Sequence, residues 1–192
     1  MKGMARFVNC GGLLTLVLAV GCGAPKGGMA MEDMQPPPRP AEMDQLAAWV
    51  GNWTYTVEMS APGTPEPMTG SSRITWEYGK RFLIEHMEGQ MGEEETFRGM
   101  AIYTWDANAG KYRTWMFDNM GGVDTGTMSY DESTNTWHMS GKGYNPANGE
   151  RTYGEGSIKM EDDNTMEWQW TEWDSPWKLQ ELMSFKGTSR RS

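Results

Sequence analysis

The fold is decided by one stretch, Asn52-Trp53-Thr54-Tyr55-Thr56-Val57-Glu58-Met59, in which polar and apolar residues alternate at every step. A period of two sends successive side chains to opposite faces of a β-strand. The stretch therefore predicts a strand with one buried face and one solvated face.

The same alternation recurs along the rest of the chain. It predicts nine further strands, at Ser71–Tyr78, Arg81–Glu88, Thr96–Trp105, Lys111–Asp118, Val123–Tyr130, Thr136–Gly143, Arg151–Met160, Thr165–Thr171 and Lys178–Lys186. The turns between them are short, and short connections permit only antiparallel neighbours. We therefore predict an all-β fold, a single up-and-down antiparallel barrel of about ten strands, because closure removes the exposed edges of an open sheet.

A short helix is predicted just before the first strand. Met43, Leu46, Ala47 and Val50 follow the spacing of one helical face, and Gly51 ends the helix.

The N-terminal residues have the pattern of a secretory signal. Lys2 and Arg6 precede an apolar run from residue 13 to residue 20, and small Gly21 stands before Cys22. The run is shorter than the about 20 residues that a membrane-spanning helix needs. It resembles the bacterial lipobox, which implies acylation of Cys22 and attachment to a membrane at the cell envelope, on the periplasmic side or the outer surface. An ordinary cleaved signal is the alternative.

Composition then divides the chain into four parts. We predict a signal peptide over residues 1–21, a disordered linker rich in Gly, Met and Pro over 22–40, the barrel domain over 41–188 and a C-terminal tail over 189–192. The length suits one folded domain.

The charge balance narrows the choice of partners. The chain has 17 basic and 26 acidic residues, a net charge of −9. Nucleic acids need clustered Lys and Arg, so no nucleic-acid partner is expected. Contact with a membrane would come through the anchor on Cys22 alone. Cys10 lies in the signal, so no thiol remains for a disulfide, and we expect a monomer.

Gly51-Asn52-Trp53 resembles the Gly-x-Trp signature of the calycins, the superfamily of lipocalins and fatty-acid-binding proteins. In that group the Trp closes one end of the barrel and packs under a basic residue from near the last strand. The resemblance implies that Lys186 fills this role, with Arg190 second.

A longer pattern resembles a family of small bacterial secreted proteins known only as domain of unknown function fifteen seventy-nine. It consists of Trp76, the run Gly79-Lys80-Arg81-Phe82-Leu83, Gly99 with Tyr103, and the run Trp115-Met116-Phe117-Asp118-Asn119-Met120-Gly121. The likeness covers residues 43–186 and implies a lipocalin-like barrel. It implies no activity, so no functional residue is carried over.

The residues that we predict to line a ligand site are His86, Trp76, Trp115, Trp168 and Trp170. Small barrels of this strand number can hold one ligand, and aromatic side chains commonly line such pockets. His86 follows Phe82 and Ile84 at a period of two, which favours an inward direction for all three. The alternative is that the Trp residues only pack the core and that His86 is an ordinary strand residue.

No cofactor is predicted, and haem or Cu(I) are alternatives. A haem would use His86, while Met29, Met31 and Met34 have a spacing that suits soft Cu(I). Glu85, Glu155 and Glu181 lie within predicted strands, where they could enter a cavity with a raised pKa. No acid–base pair can be chosen from these carboxylates without knowing which face is inside.

The sequence thus predicts an envelope lipoprotein that binds a small apolar molecule inside a β-barrel without catalysis. Two alternatives stay open. One is a scaffold or interaction protein whose barrel is filled by its own side chains, and the other is an enzyme that uses an inward carboxylate or His86.

Overall fold

The predicted barrel is confirmed. The computed structural model describes residues 36–60, 67–91 and 95–192, and within these ranges ten antiparallel strands form one closed sheet. Each strand pairs with its neighbours in sequence, and the first pairs with the last. The strands are β1 (Gly51–Ser60), β2 (Met68–Glu77), β3 (Phe82–Met91), β4 (Glu95–Asp106), β5 (Lys111–Asp118), β6 (Val123–Asp131), β7 (Thr136–Tyr144), β8 (Arg151–Asp162), β9 (Thr165–Trp173) and β10 (Glu181–Arg191).

The N-terminal predictions fall outside the described residues. These are the signal peptide, the lipidation of Cys22 and the copper-binding arm of Met29, Met31 and Met34. Within the described part of the chain, no helix combines the length and apolar character needed to cross a membrane.

The predicted helix is present as a 3-10 helix over Ala41–Trp49, here called the plug helix. It buries Met43, Leu46 and Trp49, which are three residues apart because a 3-10 helix has about three residues per turn. The predicted face is therefore wrong in part, since Ala47 is exposed and Val50 is only half-buried.

The plug helix covers one end of the barrel, here called the closed end. Trp49 packs edge-on against Tyr103 and Trp137, with ring centroids 5.3 and 5.2 Å apart. The hydroxyl of Tyr112 donates hydrogen bonds to the carbonyl oxygen of Glu42 at 2.6 Å and to Oε1 of Gln45 at 2.7 Å. Aromatic packing and these two hydrogen bonds fix the helix over the barrel.

A basic residue does pack on the signature Trp, but it is Arg191. Its guanidinium lies 4.3 Å from the ring centre of Trp53 and donates to the carbonyl oxygens of Val50 at 2.6 Å and Ala48 at 2.8 Å. The assignments of Lys186 and Arg190 are wrong, because both are exposed on the outer face. The period of two gives the reason, since from Phe185 to Arg191 the odd-numbered residues of β10 face inward and the even-numbered residues face outward.

The barrel also makes use of residues just outside the predicted domain. Strand β10 continues to Arg191, so most of the predicted tail belongs to the barrel. In the predicted linker, Arg39 donates to the carbonyl oxygen of Lys80 at 2.7 Å and lies 5.3 Å from the ring centre of Trp76.

Candidate functional site

The strand register divides every strand into inward and outward residues, and the inward side chains differ between the two ends. At the closed end they are fully buried: Trp53, Ile74, Leu83, Met128 and Trp137 are at most 2% exposed. Toward the other end, here called the open half, the inward apolar side chains Met59, Phe97, Met116, Trp170 and Phe185 are only half-buried. These side chains face into the barrel, and their neighbours cover them less completely than those of the closed end.

Inward glycines on two adjacent strands form one wall of the open half. On β7, Gly141 pairs with Gly154 of β8 and Gly143 pairs with Thr152. The next inward residue of β8 is Gly156. The surface formed by Gly141, Gly143, Gly154 and Gly156 is here called the glycine floor. The indole of Trp170 lies on this floor, since a β-carbon at Gly154 or Gly156 would overlap its ring. The ring reaches as far as Gly141, where a β-carbon would be 3.4 Å from its Cη2.

Two carboxylates flank this indole. Asp124 of β6 lies over Gly143, where a β-carbon would overlap its carboxylate. Gly141 and Gly143 are successive inward positions, about 7 Å apart along the strand. On the other side, Oε1 of Glu172 accepts a hydrogen bond of 3.2 Å from Nε1 of Trp170. The indole is thus bonded to one carboxyl group at its edge, and a second carboxyl group lies farther along β7.

These carboxylates repel each other. Burial raises the pKa of Asp124, and the nearby charge of Asp118 raises it further. Burial also raises the pKa of Glu172; the hydrogen bond from Trp170 opposes that rise, whereas the charge of Asp124 adds to it. Asp118 is engaged in the β5–β6 turn, where its Oδ1 accepts from the amides of Met120 and Gly122. Asp124 has no hydrogen-bond or ion-pair partner among the described residues.

Besides Asp124, Glu172 and Asp118, a fourth inward carboxyl group lies deeper in the barrel. Burial raises the pKa of Glu85, and hydrogen bonds from Ser72 and Tyr103 partly oppose that rise. The Tyr103 hydroxyl donates to Oε2 of Glu85 at 3.0 Å. Burial and the charges of Glu85 and Glu88 raise the pKa of Tyr55 to about 12. Glu85 is therefore an acidic group held by neutral donors.

No basic side chain of the described open half balances these acids. Among the described inward residues of the open half, none is a Lys, Arg or His. The described side chains also include no group of three or more His, Cys, Asp or Glu that could hold a metal ion. The open half is thus apolar, and it contains carboxyl groups that no basic side chain among its described inward residues balances.

Three of the five predicted ligand-site residues face inward. Trp170 lies on the glycine floor, and Trp168 lies against Gly187, with its Nε1 donating to Oγ of Ser189 at 3.1 Å. Trp76 also faces inward, but it packs against the buried core near the plug helix. The structure therefore brings only Trp168 and Trp170 near the open half.

His86 and Trp115 face outward instead. The inward residues of β3 are Leu83, Glu85 and Met87, so Phe82, Ile84 and His86 lie on the outer face, where His86 is exposed. The predicted inward direction of His86 is thus wrong, because the apolar pair Phe82 and Ile84 belongs to the outside. The haem alternative loses its inward ligand with it.

Trp115 lines a groove on the outside of the barrel, of about 420 Å³. Tyr153 and Trp173 form other parts of its wall. The Nζ of Lys178 lies 4.8 Å from the Trp173 ring centre and 2.6 Å from Oε2 of Glu155, so Glu155 forms an ion pair on the outer surface.

Sequence reasoning missed Asp124, Glu172 and the glycine floor. Of the three Glu residues it considered, Glu85 faces inward, whereas Glu155 and Glu181 are exposed. The sequence signal of this site is the occurrence of Gly-x-Gly in β7 and β8 and of Trp-x-Trp in β9. At a period of two, positions without a side chain then lie opposite positions with a large one. Only the register of β7, β8 and β9 shows that the two patterns meet.

Comparison with known proteins agrees with the fold. The model of a family described as "Protein of unknown function (DUF1579)" matches residues 39–188. No curated protein matches the chain.

Several solved structures are similar in fold. Rv2717c from M. tuberculosis is 10% identical with a TM-score of 0.61, and the match covers 81% of this chain and 99% of that one. A de novo designed fluorescence-activating β-barrel is 13% identical with a TM-score of 0.44, covering 78% and 98%. The redesigned barrel mFAP1, solved bound to DFHBI, is 14% identical with a TM-score of 0.43, covering 77% and 98%.

Proposed function

We propose that this chain, which belongs to the DUF1579 family of proteins of unknown function, binds a small and largely apolar molecule in the open half of its barrel and performs no catalysis. One observation carries the proposal. The inward apolar side chains of the closed end are fully buried, whereas the inward side chains Met59, Phe97, Met116 and Phe185 are only half-buried. Covering the exposed surface of those side chains with a ligand would stabilise the complex by roughly 25 cal/mol for each Å² removed from water.

The proposal includes a location at the cell envelope. The basic start, the apolar run and Gly21-Cys22 support export and acylation of Cys22. Mass spectrometry of the protein purified from its own cells tests this part, because a mature chain that begins at an acylated Cys22 is expected. An unmodified N-terminus elsewhere would overturn the anchor.

A neutral apolar dye tests ligand binding directly. N-phenyl-1-naphthylamine brightens when it leaves water, so the full chain is expected to enhance its fluorescence in a saturable titration. Phe185→Ala removes an aromatic ring from the open half and is expected to weaken dye binding several-fold. Trp177→Ala is the matched control, since Trp177 is 79% exposed and not part of a strand.

Two results would overturn lumen binding. Absence of saturable enhancement would favour a barrel filled by its own side chains, acting as a scaffold. Enhancement that survives Phe185→Ala but disappears in Trp115→Ala would place the dye in the outer groove. Native mass spectrometry of protein from its own cells then identifies any molecule that co-purifies.

A further inference from the structure

We propose that the natural ligand is a cationic amphiphile, an apolar body that carries a protonated amine or a quaternary ammonium group. This inference rests on the proposed function, because it assigns a ligand class to the same lumen. The positive group would lie over Trp170, between Asp124 and Glu172.

The Trp170 indole presents an aromatic face at a fixed position. The indole is spread flat over the glycine floor and held at one edge by Glu172, so its position is fixed before a ligand arrives. A cation over the face of a Trp is attracted by the ring quadrupole, and Trp is the strongest of the three aromatic residues in this contact. Recognition of quaternary ammonium ligands is a recurrent functional use of this contact.

Two carboxyl groups, those of Asp124 and Glu172, lie near that indole. Asp124 lies over Gly143, about 7 Å along β7 from the position that the indole edge reaches. It has no partner in the described part of the chain, while Asp118 and Glu172 act on it only through repulsion. A ligand cation at this point would supply the missing partner and neutralise the repulsion.

The inward carboxyl groups also disfavour anionic ligands. Glu85 adds a further acidic group on the inner side, and no described inward residue of the open half is basic. An anionic ligand such as a fatty acid would therefore enter an apolar space in which every ionisable carboxylate repels it. A bare metal ion would not need the surrounding Met and Phe side chains, and no metal-binding group occurs among the described residues.

Three probes with the same apolar chain test the inference: octyltrimethylammonium, 1-octanol and octanesulfonate. Each displaces N-phenyl-1-naphthylamine from the full chain, below its micelle concentration and at low salt. The expected order of affinity is cation, alcohol, sulfonate, with the cation at least about tenfold tighter than the alcohol, as expected for a cation–π contact reinforced by carboxylates. Added salt is expected to reduce the difference in affinity between the cation and the alcohol.

Variants locate the cation. Asp124→Asn with Glu172→Gln removes both charges while it keeps the size of the side chains and an oxygen that can accept from Trp170, so the advantage of the cation over the alcohol is expected to disappear. Asp131→Asn is the matched control, because Asp131 lies on the outer face of the same strand as Asp124 and accepts from Ser133 in a turn.

The possible failures are distinguishable. If the dye and all three probes fail to bind, the proposed function is wrong and the inference fails with it. If the probes bind with equal affinity, or the sulfonate binds best, the lumen takes ligands but the cationic class is wrong. The ranking on the unaltered chain decides this even if the double variant does not fold.

Discussion

Arg191 lies over the ring of Trp53, 4.3 Å from the ring centre, and the two residues are also direct partners in the pairing of β1 with β10. Trp53 in turn donates from Nε1 to the carbonyl oxygen of Trp49 at 2.8 Å, in the plug helix. Arg191 donates to the carbonyl oxygens of Ala48 and Val50. The last strand therefore fixes both the first strand and the helix that closes the barrel.

Replacement of Arg191 by Lys is expected to lower the free energy of unfolding by about 2 kcal/mol. A single ammonium cannot reproduce the planar stacking and the several hydrogen bonds of the guanidinium. Urea unfolding followed by tryptophan fluorescence measures the change. Lys186→Ala is the control and should alter stability by less than about 0.5 kcal/mol, since Lys186 is exposed. Equal losses for the two variants would refute the role given to Arg191.

In the plug helix, Leu46→Ala is expected to cost about 2–5 kcal/mol, because Leu46 is 0% exposed and its truncation leaves a cavity. Ala47→Ser, at the adjacent exposed position, is expected to change stability by less than about 0.5 kcal/mol. Thermal unfolding monitored by circular dichroism compares the two. A large loss of stability in Ala47→Ser would contradict the 3-10 face and support the helical face predicted from the sequence.

Glu85→Gln is expected to stabilise the protein at neutral and alkaline pH. The pKa of Glu85 is raised above its ordinary value of 4.5, so the folded state holds its proton more tightly than the unfolded state. Wild-type stability then falls as pH rises through the folded pKa, and the Gln variant lacks that loss. At pH 8 the free energy of unfolding should be about 1–2 kcal/mol higher for Glu85→Gln than for the wild type. This is the cost of one buried polar group whose hydrogen bonds are incomplete. At pH 4 and below the two proteins should converge. A difference that does not depend on pH would contradict the assignment.

Gly154→Ala is expected to displace the indole of Trp170, because the new methyl group would overlap the ring. Trp170 would leave its place beside Glu172, so binding of octyltrimethylammonium should weaken by about tenfold, the loss expected for one cation–π contact with its carboxylate. Displacement of N-phenyl-1-naphthylamine measures the affinity, and Ser157→Ala, on the outer face of the same strand, is the control. Unchanged affinity in Gly154→Ala would remove Trp170 from the site.

The barrel follows from the sequence because alternation and short turns are local properties. The period of two along β1 gives its inward face correctly, since Trp53, Tyr55 and Val57 are buried. In β3, apolar residues occur on both faces. The spacing of Phe82 and Ile84 therefore predicted the outer face of the strand as its inner face. Local hydrophobicity cannot choose between two apolar faces, whereas pairing with β2 and β4 does.

The candidate site is harder to predict because its parts come from different strands. Trp170, Gly154 and Asp124 meet only through the register of β6 to β9. A glycine in a strand gives no indication of which neighbour will cover it. The basic residue over Trp53 was assigned wrongly for the same reason. Arg191 and Lys186 are both basic, and only the strand register shows that Arg191 faces inward and Lys186 faces outward.

The pairing of β1 with β10 joins residues from opposite ends of the folded body, so the barrel can close only when the C-terminal strand is available. Contacts between such distant segments form late, because a long loop must be ordered before they contribute. A ribosome-bound chain would therefore remain open until the residues of β10 have left the ribosome. A stop codon shortly before Arg191 should yield a product that proteases degrade rapidly.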